Sequence, residues 1–217
     1  MLNTRSKYCL TAALLLSVMS FSSLAAQTCG PGQHWIDDCP EGIDNVPFVA
    51  KVQVRIPCDS TAPTLILRGP VRAYREAGVP GYPAELGEPG NPTHFIVQEV
   101  LFLHLTGHGV TLRAGVDAGV GDNGDDGKRT WAIVTELADD PSLAKFSADY
   151  FYEVDIPHLG TLHANEACVV EGFLDRMPPS ASMTHHPSEF PCTNLTEIPL
   201  YDEQELEVGC LFTEGLD

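Results

Sequence analysis

The sequence predicts an all-β fold: a mostly antiparallel β-sandwich with long Gly/Pro-rich loops and disulfides. Three observations predict it. Apolar residues alternate with polar ones in short runs, and no stretch sustains a 3.6-residue apolar period. The 19 glycines and 17 prolines cluster between these runs, as turns do in β proteins. The connections are too short for the crossover helices that parallel strands require.

Taken in order, the first 26 residues are set apart. A basic leader, "MLNTRSK", precedes the apolar run "YCLTAALLLSVMSF" and the small residues "SSLAA". This is the three-part pattern of a secretory signal peptide cleaved after Ala25 or Ala26. The apolar run is shorter than the roughly 20 residues a membrane span needs. The expected mature unit is a β-sandwich domain over 27–217, soluble after export to an extracellular or periplasmic compartment, with no further membrane span.

The strand candidates follow. "FVAKVQVRI" (48–56) alternates, with Val52, Val54 and Ile56 on one face. "TLILRG" and "VRAY" come next, then "HFIVQEVLFLHLTG" (94–107), "GVTLRAG", "TWAIVTEL" (130–137), "ADYFYEVDI" (148–156), "GTLH", "ACVVEGFLD" (167–175) and "LEVGCLF" (206–212). One short helix is expected in "DDPSLAKFSA", with Asp140 as N-cap and Pro141 at the first position. Residues 75–93 and 176–192 are read as long loops.

The formal charge is −18, and loss of Arg5 and Lys7 takes the mature chain to −20. Such a chain repels nucleic acid and anionic lipid, so neither is an expected partner. Six cysteines remain after the leader: Cys29, Cys39, Cys58, Cys168, Cys192 and Cys210. An even number in an exported chain reads as disulfides, with fifteen possible pairings.

"CGPGQHWIDDCPEG" (29–42) places His34 and Trp35 between Cys29 and Cys39. The spacing is poor for a cysteine-ligated zinc knuckle, and no Cys-x-x-Cys redox pair is present. A Cys29–Cys39 bridge with Trp35 packed as an anchor fits better. Cys192–Cys210, which closes a modest loop in the tail, is the next expectation, and it leaves Cys58 with Cys168.

This opening, together with "GVTLRAG", "ADYFYEVDIPHLGTLH" and "DRMPP" in that order, resembles exported bacterial proteins of the PEP-CTERM group. The likeness runs from about Cys29 to Pro179. It implies an exported, β-rich protein and no particular activity. The chain ends "GCLFTEGLD", without the Pro-Glu-Pro motif, apolar span and basic end of their sorting tail, so sorting by that route is not implied.

Four places hold candidate chemistry. Asp117, Asp122, Asn123, Asp125 and Asp126 supply hard oxygen ligands of the kind calcium takes, although the EF-hand register fails: counted from Asp122, position three is Gly124 and position twelve is Ile133. Glu153 and Asp155 share a strand face opposite Ala148, Tyr150, Tyr152, Val154 and Ile156, about 7 Å apart, a spacing glycosidases use. Glu99 sits on the apolar face of Phe95, Val97, Leu101, Leu103 and Leu105, so it needs a partner, and Arg113 across the "TGHG" turn is the expected one. The eight histidines include the neighbouring pairs His94/His104, His104/His108 and His158/His163, plus His34, His185 and His186, and read as surface residues. "NLT" at Asn194 matches a glycosylation acceptor.

No nucleophile elbow, metalloprotease helix, phosphate-binding loop or dinucleotide fingerprint is present. The expectation is a non-catalytic binding or structural component of an extracellular matrix. It would need no cofactor, with calcium a candidate stabiliser, and its partners would be extracellular proteins, glycans or itself. The alternative is a secreted hydrolase using carboxylates such as Glu153 and Asp155 on glycans.

Overall fold

The structure, a computed structural model, describes residues 28–80, 94–120, 128–179 and 192–214. The leader, Asp122–Asp126, His185 and His186 lie outside them, as do most of the two long loops. The described chain is almost entirely antiparallel β, as expected. Twelve strands run β1 (Gly42–Arg55), β2 (Leu65–Arg75), β3 (Val79–Pro80), β4 (His94–Gly107), β5 (Val110–Ala114), β6 (Trp131–Glu136), β7 (Ala144–Tyr150), β8 (Glu153–Ile156), β9 (Gly160–His163), β10 (Cys168–Leu174), β11 (Ile198–Tyr201) and β12 (Glu207–Glu214).

They form one sheet, in the order β10-β7-β6-β4-β2-β1-β12-β11-β9-β8-β5, with β3 on β4. A further pairing of β5 with β4 closes part of this path into an eight-stranded ring. β4 belongs to both parts: its first half pairs with β6 and its second half with β5. The ring is filled rather than hollow. Val52, Leu67, Leu105, Leu112, Val154, Leu162, Leu200 and Leu211, one from each of its strands, are all 2% exposed or less. Eight strands leave an interior just wide enough for side chains. β8, β9 and β11 have four residues each, far short of the 9–11 of a transmembrane strand. No helix among the described residues is long and apolar enough to cross a membrane.

β4 does not keep one apolar face. Ile96, Gln98 and Val100 are buried in its first half, but Leu103 and Leu105 in its second. The register on β2 slips between Arg72↔Phe102 and Ala73↔Val100, leaving Leu101 as an extra residue. This bulge flips the alternation. It separates Leu103 and Leu105 from the face of Phe95, Val97 and Glu99, and it puts His94 and His104 on opposite faces.

The helix expected at "DDPSLAKFSA" is absent. Asp140 caps a turn, accepting from the Ser142 amide at 3.1 Å, and the chain then enters β7. Ala144, Phe146, Ala148 and Tyr150 alternate into the core, held on both edges by β6 and β10. Two strands depart from the sequence expectation. β3 lies in a segment expected to be a loop, and β11 carries Pro199.

Three disulfides cross-link the sheet. Cys29–Cys39 is as expected. The other two differ from the sequence expectation: they are Cys58–Cys210 and Cys168–Cys192. Strand pairing decides this. Arg55 lies opposite Cys210 where β1 meets β12, so Cys58 arrives beside it. The Thr193 amide donates to the Val169 carbonyl at 2.7 Å, laying Cys192 along the start of β10.

Candidate functional site

Three clusters of polar side chains stand out in this frame. The first is buried on the inner face, where β1, β2 and β4 lie side by side. Arg75 is fully buried. Its Nη1 donates to the Cys29 sulfur at 2.9 Å, the Cys39 sulfur at 3.3 Å and the Met177 carbonyl at 3.4 Å, and its Nη2 lies 3.6 Å from Asp44. Gln98 donates to the other Asp44 oxygen at 3.2 Å. Burial pushes the Asp44 carboxyl above its usual range, against the pull of Arg75 and Gln98. Burial likewise lowers the Arg75 guanidinium, against Asp44. A cavity of about 40 Å³ adjoins the cluster, lined by Asp44, Phe48, Gln98, Val100, Phe146 and Tyr150 among others. It has room for a water or two but not for a metabolite. Each polar residue falls in period-two phase with apolar ones, Asp44 with Val46 and Phe48, Arg75 with Val71 and Ala73, and Gln98 with Ile96 and Val100, and that is the signal in the sequence that could have found them.

The second cluster holds the two carboxylates of the glycosidase reading. Arg113 lies opposite Glu153 in the register of β5 on β8. Its guanidinium meets Glu153 at 2.7 Å and clasps Asp155 through two bonds of 2.9 and 3.1 Å. Arg113 Nη1 also donates to the Ala118 carbonyl at 2.7 Å, and Thr161 donates to Asp155 at 2.6 Å. Burial raises the Glu153 pKa more than Arg113 lowers it. For Asp155 burial also acts upward, but the bonds from Arg113 and Thr161 win, and its carboxyl titrates below the usual range. The two carboxylates share a face as expected. The Arg113 fork fills the space between them where a glycosidic bond would have to lie.

Arg113 is therefore not the partner of Glu99. Glu99 is buried, as expected, but Arg129 from the segment before β6 holds it, with Nε at 2.9 Å. Arg113 faces His104 in register, five residues along β4. Asp117, the one described residue of the calcium group, sits in a one-turn 3-10 helix (Val116–Ala118) and is ion-paired with Arg72. Asn194 uses its whole amide to pin β10: it accepts from the Val169 amide at 2.9 Å and donates to the Ala167 carbonyl at 2.8 Å.

The third cluster surrounds the opening loop. The Cys29–Cys39 loop is tied to the sheet on three sides. Cys29 and Met177 exchange backbone bonds of 2.8 and 2.9 Å, the His34 amide donates to the Pro141 carbonyl at 2.8 Å, and the Gly78 amide donates to the Cys39 carbonyl at 2.9 Å. Trp35 and Ile36 plug into the core at 5% and 0% exposure, so the aromatic anchor is where it was expected. His34 and Asp37 then face the ends of β6 and β4. His34 Nδ1 lies 3.0 Å from Glu136 Oε1, and His94 Nδ1 lies 2.7 Å from Asp37 Oδ1. Of the other histidines, His104 stacks on Phe102 with centroids 5.8 Å apart, and His163 meets Glu205 at 3.2 Å. Cys58, Glu207 and Cys210 also converge, but their sulfurs are joined in a disulfide.

Compared with protein-family models, curated proteins and solved structures, the chain finds no match.

Proposed function

We propose that the protein works outside the cytoplasm as a non-catalytic binding or structural component, through the surface of a rigid, acidic, cross-linked sheet. The disulfides carry this reading. Three of them use all six cysteines beyond the leader, and they persist only in an oxidising compartment. The leader pattern and the likeness of the opening to exported bacterial proteins of the PEP-CTERM group support the same placement. The charge of −20 on the mature chain favours cationic or glycan partners, or calcium-bridged copies of itself, over nucleic acid.

The hydrolase reading draws on one observation: the pKa values of Glu153 and Asp155 are pushed apart. The Arg113 fork weighs against it, because burial raises Glu153 and the bonds from Arg113 and Thr161 lower Asp155, with no substrate-facing role needed for either shift.

The test is recovery of the protein from cell fractions of its host. An exported, thiol-free mature form and calcium-dependent self-association in sedimentation would support the reading. Retention of the whole chain in the cytoplasm with free thiols would overturn it. Glycan turnover abolished by Glu153→Gln would establish the hydrolase instead. Melting with calcium and with EDTA tests the calcium part, and an unchanged midpoint would remove it.

A further inference from the structure

We propose that Asp37, His94 and Glu136 form a binding site for a divalent transition-metal ion of the zinc class, with His34 positioning Glu136. The proposal is independent of the surface role above. Its three donors come from three parts of the chain: the disulfide-closed loop, the first residue of β4 and the last residue of β6. One carboxylate oxygen from each acid and one ring nitrogen of His94 all lie within 4.8 Å of one another. Donors on a tetrahedral zinc at roughly 2.0–2.2 Å stand about 3.4 Å apart, so the triangle draws in by up to about 1.4 Å to close around an ion, with His94 and Asp37 exchanging their 2.7 Å contact for the metal.

A second observation points to a cation. The Glu136 side chain is only 9% exposed, and its Oε2 makes no hydrogen bond. A buried carboxylate oxygen without a partner is costly, and a cation bound beside it would supply one. The other oxygen, Oε1, is held by His34. That bond is the outer-sphere contact that commonly orients a metal-binding carboxylate. Asp37 and His94 are 35% and 31% exposed, so an ion reaches the site from solvent and a water can complete its shell.

The donor set selects the ion. Calcium and magnesium prefer oxygen alone, whereas imidazole with carboxylate suits zinc and its first-row neighbours. The loop that carries Asp37 and His34 is bridged and tied on three sides, so the backbone under these two side chains is fixed before the ion arrives.

The experiment uses tag-free mature protein stripped with a chelator. Zinc titrated by calorimetry should bind at one equivalent and raise the melting temperature. Cobalt in its place should give visible absorption bands of a nitrogen- and oxygen-ligated ion. Glu136→Gln and Asp37→Asn, which keep side-chain size, should each weaken zinc by about 100-fold, and His34→Gln by about 10-fold. Glu171→Gln, which touches only the exposed ion pair with Lys145, should leave binding unchanged. Circular dichroism of the metal-free variants shows that each is folded. Absence of one-equivalent zinc binding overturns the proposal. So does binding that survives in the folded Glu136→Gln and Asp37→Asn proteins, or that millimolar calcium displaces.

Discussion

Arg75 and Asp44 lie 3.6 Å apart with side chains 0% and 1% exposed, and the same guanidinium rests on the Cys29–Cys39 sulfurs. One buried cation thus ties together the strand pair β1–β2, the opening disulfide and the Met177 carbonyl. Breaking a buried pair from one side strands the other charge. Asp44→Ala should therefore destabilise the protein by about 3–5 kcal/mol. Replacing both residues with apolar ones, Asp44→Leu with Arg75→Met, should recover most of that loss. Urea denaturation of the single and double variants checks both, and a single variant costing under about 1 kcal/mol would sink the idea.

The pH dependence of stability should carry two opposite contributions. Asp44 titrates above its usual value when folded, so its contribution is present below about pH 3.9 and is lost as pH rises through the folded value. Asp155 titrates below its usual value, so its contribution is present above about pH 3.9 and is lost as pH falls through the folded value. The cost of Asp155→Asn, at most about 1 kcal/mol for so exposed a pair, should then be largest near neutrality and shrink in acid. Thermal melts of the variant and the parent from pH 3 to pH 7 measure it, and a cost that grows in acid contradicts the assignment.

The disulfides should differ in weight. Cys58 and Cys210 are 152 residues apart, Cys168 and Cys192 24, and Cys29 and Cys39 10. In the chain-entropy description these loops are worth about 5, 3.5 and 2.8 kcal/mol. Paired serine variants should lose stability in that order. Non-reducing peptide mapping should recover these three pairs, and a Cys192–Cys210 peptide would overturn the strand register.

Gly78 allows the opening loop to seat. A β-carbon there would stand 1.8 Å from the Ile36 carbonyl oxygen. Gly78→Ala should push the loop off the sheet and cost about 1–3 kcal/mol, the range for overpacking a tight contact. Quenching or exposure of Trp35 fluorescence reads the displacement directly. An unchanged spectrum with unchanged stability would show that the loop adapts.

Much of this was written locally. Alternation in "FVAKVQVRI" and "ADYFYEVDI" marks strands, and burial of Val52, Tyr150, Tyr152 and Val154 follows it, with Val54 partly buried. The ten-residue Cys29–Cys39 spacing and Trp35 marked a staple with an anchor, and both are there. Local chemistry misleads at two places. Asp140-Pro141 reads as a helix start, but the strand behind it is gripped on both edges. Gly69-Pro70 split one strand into two, yet Pro70 lies opposite Pro47 within a continuous β1–β2 ladder.

The sequence by itself determined the class: period-two apolar runs, turn residues between them, and cysteines that pair in an oxidising place. Only the tertiary structure decided which residues meet. Closure of the ring through β4 and β5, the bulge at Leu101, Arg129 in place of Arg113 on Glu99, and the approach of His34 and Asp37 to Glu136 and His94 all depend on strand order and register. Those are set by contacts between residues far apart in the chain, and the alternation within one strand, being the same for every partner, does not encode them.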